Sequence, residues 1–382
     1  MEDVIRVLSV FGTRPEAIKM APLVKKLEEE ERNVESLVCV TAQHRQMLDQ
    51  VLEVFDIKPD FDLNIMKERQ SLADITVNAL SGLYDLIEEL KPDIVLVQGD
   101  TTTTFAGALA AFYHRIPVGH VEAGLRTNDR YSPFPEEINR RLTGVLSTLH
   151  FAPTKRNREN LLRENVMGKI YVTGNTVIDA LRYTVKESHV FENPVLRNMD
   201  FSDGRYILLT SHRRENIGKP LENICKAVRR IVEEFEDVRV IYPVHMNPAV
   251  REIVFPMLEN MERVFLIDPV NVIDMHNLMA RSYLIMTDSG GIQEEAPALG
   301  RPVIVLRRET ERPEAIEAGV AVLGGVEEER IFELAKKLLL DREEYEKMAK
   351  AVNPFGDGRA SERIVKAILH EFGLSDPPEE FG

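Results

Sequence analysis

The sequence predicts an α/β protein built from two doubly wound, Rossmann-like domains. Short β-branched runs alternate with amphipathic helical segments along the whole chain, a pattern typical of parallel βαβ units. A chain of 382 residues is long enough for two domains of ordinary size. Hydrophobic residues make up 44% and charged residues 29%, which excludes the disordered, collagen-like and disulfide-rich classes.

Strands are predicted in both halves of the chain. Those of the first half are residues 4–11, 34–41, 93–98, 117–121, 148–152 and 169–173. Those of the second half are residues 205–210, 238–244, 263–267, 283–287, 302–306 and 320–323. Apolar residues recurring every three to four positions predict helices between the strands, among them 16–30, 71–90, 221–234 and 327–340.

The two predicted domains cover residues 1–175 and 176–358. Residues 191–204 contain proline, asparagine and glycine, a composition typical of a connecting segment. The segment 359–372 is amphipathic and has no strand after it, so residues 359–382 are expected to pack back onto the first domain.

Charge and cysteine content restrict the possible partners and location. The net charge of −15 argues against binding to nucleic acid or to an anionic membrane, so an anionic ligand must be met by locally placed arginines. Cys39 and Cys225 lie in a predicted strand and a predicted helix, which indicates buried free thiols in a reducing cytoplasm. No signal peptide and no apolar run long enough to span a membrane are recognised.

Polar residues follow the strands, at the edge where doubly wound sheets bind their ligands. The first strand runs into Gly-Thr-Arg-Pro-Glu at residues 12–16. Gly12 permits close approach of another backbone, Thr13 can cap the next helix and Pro15 suits its first turn. The helix N-terminus and Arg14 together predict an anion site, and the alternative is a capped helix without a ligand.

Two further strand ends carry acids. Asp100 follows the strand at 93–98 and Glu122 follows the strand at 117–121, so both carboxylates are expected at one edge of the sheet. Burial and mutual repulsion there can raise a carboxyl pKa towards the working pH, which suits proton transfer. Glu136 comes next, in a loop with two prolines. The alternatives are that Asp100 and Glu136 only cap helices and that Glu122 pairs with Arg126.

The second half offers residues that suit phosphate. His212, Arg213 and Arg214 follow the strand at 205–210, where guanidinium groups match phosphate oxygens and histidine can protonate a leaving group. A solvated surface run is the alternative reading.

A glycine turn follows the strand at 283–287. The segment Asp-Ser-Gly-Gly at 288–291 opens a helix whose free N–H groups suit a diphosphate. Glu294 or Glu295 could accept both hydroxyls of a ribose, and Arg312 is a further phosphate candidate. A plain glycine turn is the alternative.

Metal chemistry finds little support in the sequence. The nine histidines show no His-x-x-x-His spacing, and the single Asp-x-Asp, at Asp60 and Asp62, follows a proline where a turn is expected. We therefore predict no metal site and no cofactor.

Several motifs together resemble those of one family, the non-hydrolysing UDP-N-acetylglucosamine 2-epimerases. They are residues 12–16, 98–101, 121–127, 133–140, 174–176, 212–216 and 288–291, which occur in order along essentially the whole chain. The resemblance implies a glycosyltransferase-B-like fold of two Rossmann-like domains that bind a nucleotide sugar, and commonly a homodimer.

The resemblance also implies roles for individual residues. The positions that match the catalytic ones are Asp100, Glu122, Glu136 and His212. Those that match substrate contacts are Arg14, Lys19, Arg213, Met275, Ser289, Gly290, Gly291, Glu295 and Arg312. Bacterial members hold a second UDP-N-acetylglucosamine as an allosteric ligand, and the matching positions are Gln43, Gln46, Arg69, Glu136, Arg213 and His245. Residues 269–279 lack the aromatics that many members place near uracil, and Met275 offers apolar cover there.

The implied reaction explains why acids are needed. Loss of UDP from C1 of the sugar acidifies the C2 proton, and an acid group removes it to leave a 2-acetamidoglucal. Return of the proton on the other face and re-addition of UDP give UDP-N-acetylmannosamine, without a nicotinamide. Asp100 and Glu122 are the predicted proton-transfer groups, with their faces left open. A hydrolysing relative, a retaining glycosyltransferase and a non-catalytic sensor remain as alternatives.

Overall fold

The chain forms two compact units. A computed structural model describes residues 4–41, 45–65 and 69–382, except for the side chains of residues 45–47. The first unit contains the chain up to Tyr183 together with Phe355–Gly382, and the second is Thr184–Pro354. The sequence predicts these boundaries at 175/176 and 358/359.

The first unit is built on a seven-stranded parallel sheet with the order β3-β2-β1-β4-β5-β6-β7. Its strands are β1 (Ile5–Phe11), β2 (Val34–Val40), β3 (Phe61–Asp62), β4 (Ile94–Gln98), β5 (Val118–Val121), β6 (Leu149–Ala152) and β7 (Lys169–Val172). The helices that connect them are α1 (Arg14–Glu29), α2 (Arg45–Val54), α3 (Leu72–Leu90), α4 (Thr102–Tyr113), α5 (Glu136–Leu146) and α6 (Lys155–Arg163). Helix α7 (Thr176–Thr184) follows β7, and the C-terminal helix α16 (Ala360–Glu371) packs on α1.

The second unit is built on a six-stranded parallel sheet with the order β10-β9-β8-β11-β12-β13. Its strands are β8 (Arg205–Thr210), β9 (Val238–Pro243), β10 (Val264–Ile267), β11 (Leu284–Thr287), β12 (Val303–Val305) and β13 (Ala321–Leu323). Its helices are α8 (Pro194–Arg197), α9 (Lys219–Glu234), α10 (Pro248–Leu258), α11 (Val272–Arg281), α12 (Gly290–Ala298), α13 (Pro313–Glu317), α14 (Glu328–Leu340) and α15 (Arg342–Ala349).

Local sequence explains where these elements begin and why they are buried. The central strands are nearly continuous apolar runs because helices cover both faces of a parallel sheet. Helix α1 begins at a capping box in which Thr13 and Glu16 bond each other's backbone N–H groups, and α3 begins the same way at Ser71 and Asp74. These caps fix the direction in which each helix leaves the carboxyl edge of its sheet.

The predicted fold class and all the predicted strands are confirmed, with two corrections. The two-residue strand β3 was missed because Asp60 and Asp62 flank a single apolar residue, which reads as a turn. The supposed connection at 191–204 lies inside the second unit, where Phe191 is buried and the backbone N–H of Glu192 donates to Asp274. Its composition is therefore that of a loop-rich segment within the second unit and not of a domain boundary.

Cys39 and Cys225 are buried free thiols, as predicted. Among the described residues, no helix is both long enough and apolar enough to cross a membrane.

Candidate functional site

In the first unit, the turn after β1 packs closely against the residues that follow β2 and β4. A Cβ atom at Gly12 would lie 2.0 Å from Oγ1 of Thr41 and 2.9 Å from Oγ1 of Thr103, so glycine is required there. Those two hydroxyls are 3.0 Å apart and bond each other. The turn is therefore held in close contact with the ends of β2 and the start of α4.

Glu16 joins this turn to the loop after β4. Its carboxylate is fully buried and accepts the N–H groups of Gly12 (3.1 Å) and Thr13 (2.7 Å) through Oε2. Through Oε1 it accepts the hydroxyls of Thr101 (2.6 Å) and Thr104 (3.2 Å). Burial raises the pKa of Glu16, and these hydrogen bonds oppose that rise.

Asp100 lies at the end of β4 with a cation beside it. Nη2 of Arg140 is 2.7 Å from its Oδ2, and Nε of the same residue donates to that oxygen at 2.9 Å. Asn139 donates to its backbone carbonyl at 2.9 Å. The imidazole of His120 is fully buried and bonds the carbonyl of Gly99 at 2.7 Å, which holds the residue before Asp100.

Glu122 lies at the end of the adjacent strand β5. Because Gln98 and Val121 are register partners in β4 and β5, the loops bearing Asp100 and Glu122 leave the same edge side by side. The Glu122 carboxylate contacts Nζ of Lys19 and accepts from Nδ2 of Asn175 at 3.3 Å.

The backbone of Glu122 is left-handed, with φ of 63°. A residue other than glycine adopts this conformation at a cost of about 1–3 kcal/mol, which is typical of functional positions. Two residues later, Gly124 has φ of 93°, and a Cβ there would lie 2.3 Å from the carbonyl oxygen of Asn157. This close approach fixes the turn that presents Glu122.

A third acid begins α5. Oε2 of Glu136 is buried and has no hydrogen-bond partner among the described residues. Its neighbour Glu137 is fully buried, accepts the N–H groups of Thr127 and Asn128, and pairs with Arg140. Burial would raise the pKa of Glu137, but these partners lower it below its usual value. Glu137 therefore anchors the loop before α5, whereas Glu136 keeps an oxygen for another group.

Asp100 and Glu122 do not have the capping and ion-pair roles that are their structural alternatives. The residue that caps α4 is Thr101 and not Asp100. Glu122 does not pair with Arg126, which bonds Glu164 instead. The N-cap residue of α5 is Pro135, which makes no side-chain capping bond, and Glu136 is the first residue of the helix.

Other predicted residues of the first unit have distinct environments. Arg14 is half-buried at the start of α1, and its guanidinium forms no ion pair or hydrogen bond with any described residue. Arg69 is exposed in a turn and has φ of 59°. Gln43 and the side chain of Gln46 lie outside the described residues.

In the second unit, the ends of β8 and β11 meet around Asp288. This carboxylate is fully buried, and Oδ2 accepts from the N–H groups of His212 and Arg213 (2.9 Å each). The same oxygen accepts from Oγ of Ser211 (3.1 Å) and Nδ2 of Asn216 (2.9 Å). Oδ1 has no hydrogen bond among the described residues and lies 3.6 Å from Nδ1 of His212.

His212 is half-exposed beside a second histidine. Its ring stacks on that of His245, with centroids 5.3 Å apart and planes 9° from parallel. Burial lowers the pKa of His212, as do His245 and Arg213, whereas Asp288 acts to raise it. Arg213 forms an ion pair with Glu311 at 2.9 Å. His212, Arg213 and His245 are thus brought together at one edge.

The glycine turn opens α12 as predicted from the sequence. Ser289 is its N-cap residue but makes no side-chain capping bond, and Gly290 and Gly291 form its first turn. Oε2 of Glu295, one turn later, lies 3.3 Å from Nε2 of the fully buried His276. The half-buried Met275 precedes that histidine on α11.

The guanidinium of Arg312 already has partners within its own unit. Nε of Arg312 donates to Oε1 of Glu294, and Nη1 donates to the carbonyl of Glu311 at 3.3 Å. Glu294 is itself buried. Of the two glutamates considered for the ribose, Glu294 is paired with Arg312, whereas Glu295 is more exposed.

Some residues of the site were not singled out from the sequence. They are Glu16, His120, Arg140, His276 and Asp288, each of which is buried and supports a predicted residue. The signal available for Glu16 was its position at the third residue of a capped helix. Within residues 4–41, 45–65 and 69–382, no group of three or more His, Cys, Asp or Glu side chains could hold a metal ion.

Comparisons with known proteins agree with the fold. The sequence profile of the UDP-N-acetylglucosamine 2-epimerase family matches residues 25–369. A protein of Thermotoga maritima is 96% identical over 377 residues, which are 99% of this chain and 100% of that protein. The UDP-N-acetylglucosamine 2-epimerase of Bacillus subtilis is 60% identical over 379 residues, 99% of this chain and 98% of the relative.

A solved structure gives the same result. It is the UDP-N-acetylglucosamine 2-epimerase of Neisseria meningitidis bound to UDP-N-acetylglucosamine, with a TM-score of 0.83 and 50% identity. The match covers 96% of this chain and all of that one. The predicted glycosyltransferase-B-like fold class is thereby confirmed.

Proposed function

The chain belongs to the UDP-N-acetylglucosamine 2-epimerase family, and we propose that it interconverts UDP-N-acetylglucosamine and UDP-N-acetylmannosamine without hydrolysis. The observation that carries the proposal is the set of three acids at one edge of the first sheet. Asp100 and Glu122 each lie beside a cation, and Glu136 has an unpartnered oxygen. A protein that only bound a nucleotide sugar would not need them.

The proposed chemistry is elimination followed by re-addition. UDP leaves C1 while an acid group takes the C2 proton, and the 2-acetamidoglucal then receives a proton on the opposite face as UDP returns to C1. Asp100 and Glu122 are the proposed proton-transfer groups. Arg140 and Lys19 compensate their negative charges. Glu136 orients the substrate or replaces one of them.

The second unit supplies the proposed nucleotide site. The relative from Neisseria meningitidis was crystallised with UDP-N-acetylglucosamine, which supports this ligand here. The first N–H groups of α12 and the side chain of Arg213 suit the diphosphate, with Arg14 as a further cation. Glu295 suits the ribose hydroxyls and Met275 the base. His212 hydrogen-bonds the departing diphosphate and can give it a proton.

Arg312 has a different proposed role. Because its guanidinium is bonded to Glu294, it shapes the first turn of α12 more than it supplies free charge. A Cβ added at Gly290 would lie 3.7 Å from two guanidinium atoms of Arg312, so the arginine packs directly beside that turn.

Proton NMR on UDP-N-acetylglucosamine in deuterium oxide, without added nicotinamide, tests the function. We expect both epimers with deuterium at C2 and retained UDP linkage. Free N-acetylmannosamine with UDP would indicate the hydrolysing reaction, and retained C2 hydrogen would refute the elimination. Asp100→Asn and Glu122→Gln should each lower kcat at least about a hundredfold. Glu89→Gln, on an exposed face of α3, is the matched control.

We also propose a second UDP-N-acetylglucosamine site that activates the enzyme. Its proposed contacts are Gln43, Gln46, Arg69, Glu136, Arg213 and His245. The stacking of His245 on His212 would connect that ligand to the proposed proton donor for the leaving diphosphate. The forward reaction should then be sigmoidal in substrate, and the reverse reaction should lag until the gluco epimer is added. Hyperbolic kinetics with an immediate reverse rate would contradict this.

We propose a cytoplasmic homodimer whose product serves surface polysaccharide precursors. Large apolar side chains are exposed on the adjoining helices α4 and α5, with Phe112 55%, Tyr113 57% and Val145 73% exposed in the single chain. Sedimentation should give a dimer, and Val145→Asp should weaken it. A monomeric wild type would refute the dimer.

A further inference from the structure

The two carboxylate oxygens of Asp288 have different surroundings. Oδ2 accepts four hydrogen bonds from the loop after β8, given by Ser211, His212, Arg213 and Asn216. Oδ1 is buried, accepts no hydrogen bond among the described residues and faces Nδ1 of His212 at 3.6 Å. A residue needed only to hold the loop would not require the second oxygen in that place.

We propose that Asp288 is a positioning residue that orients His212, with Nδ1–H directed at Oδ1 and Nε2 left for the diphosphate of the substrate. This inference rests on the role proposed above for His212. The distance of 3.6 Å is slightly long for a hydrogen bond. Catalytic hydrogen bonds are often long without substrate and shorten in the complex.

The electrostatic surroundings explain why a carboxylate is useful here. The ring of His212 faces His245, Arg213 and Asp288, and of these only Asp288 favours the protonated imidazole. A protonated ring can donate Nδ1–H to Asp288 and Nε2–H to a phosphate oxygen at once. The proton on Nε2 can then pass to the leaving diphosphate, which leaves a neutral ring that still donates Nδ1–H to Asp288.

The four donors around Oδ2 make Asp288→Asn a specific test. The amide oxygen must occupy the Oδ2 position, because an NH2 group there would face four other donors. The NH2 group then points at Nδ1 of His212 and forces the ring to carry its proton on Nε2. The variant therefore keeps the loop contacts but reverses the tautomer. Asn216→Ala instead removes the hydrogen bonds that Asn216 donates to Oδ2 and to the carbonyl of Leu306, and leaves Oδ1 unchanged.

Nitrogen-15 NMR of labelled histidine reads the tautomer directly, with His212→Gln used to assign the signal. We expect the Nδ1–H form in the neutral ring of the wild type and of Asn216→Ala, and the Nε2–H form in Asp288→Asn. We also expect kcat to fall about a hundredfold in Asp288→Asn, and much less in Asn216→Ala. In a His212→Gln background, Asp288→Asn should cause no further loss, since its effect acts through the ring.

The opposite results overturn the inference. An Nε2–H wild-type ring would do so even if Asp288→Asn failed to fold. So would equal losses in Asp288→Asn and Asn216→Ala, or additive losses with His212→Gln, because these indicate a purely structural role. Full activity of His212→Gln would overturn the inference and leave the proposed epimerase activity intact. Absence of epimerisation in the wild type would refute the proposed function, while the NMR comparison would still decide whether Asp288 orients the ring.

Discussion

The buried His120 provides a quantitative test of the packing beneath the acid residues. Its imidazole is fully buried, and Nδ1 has no hydrogen-bond partner among the described residues. Burial lowers the pKa of His120 from 6.5 to about 3, although the bond to Gly99 opposes the shift. The ring therefore has to be neutral in the folded protein.

The sign and size of the effect on stability follow from this shift. Between these two pKa values the unfolded chain binds a proton that the folded chain does not, so the contribution of His120 is complete above about pH 6.5 and is lost as the pH falls towards about 3. At about pH 5 the loss amounts to about 2 kcal/mol relative to about pH 8, because a unit of pKa shift corresponds to about 1.4 kcal/mol.

His120→Gln removes the titrating group and keeps an amide that can donate to the carbonyl of Gly99. Between about pH 8 and about pH 5, the free energy of unfolding of the wild type should fall by about 2 kcal/mol more than that of this variant. Guanidinium unfolding followed by far-ultraviolet circular dichroism measures it, since the chain has no tryptophan. The exposed His245→Gln serves as control. Parallel pH profiles for the wild type and His120→Gln would refute the reasoning.

Three further predictions concern neighbouring parts of the site. Burial raises the pKa of Glu16, so the folded state binds a proton that the unfolded state has lost, and stability falls as the pH rises from about 4.5. Glu16→Gln should reduce that fall in the same unfolding experiment. An unchanged dependence of stability on pH would contradict this. Gly12→Ala should lower the free energy of unfolding by about 1–3 kcal/mol, because the added Cβ would lie 2.0 Å from Oγ1 of Thr41. Adding Thr41→Ala should restore part of this loss. Equal stability of Gly12→Ala and the wild type would show that the turn can move. Glu295→Ala should weaken UDP binding by about 1–3 kcal/mol in calorimetry, and unchanged affinity would place the ribose elsewhere.

The sequence was sufficient for the fold class and for the location of the acids. Apolar runs and helical periodicity are local properties, so each predicted strand could be located from its own residues. The parallel βαβ arrangement then placed Asp100 and Glu122 at one edge, because ligand-binding residues follow the carboxyl ends of parallel strands. The two-residue strand β3 escaped this reasoning because it has too few residues to show a pattern.

What the sequence could not determine is the partner of each buried charge. Asp100 pairs with Arg140 from α5, and Asp288 receives its hydrogen bonds from the loop after β8. Such pairs join residues that are far apart in the chain, and strand order and helix packing alone bring them within bonding distance. The sequence therefore determined which residues reach the edges of the sheets. The tertiary structure decided which of them are paired and which keep an unpartnered oxygen, because a buried polar group depends on its neighbours in space for hydrogen bonds.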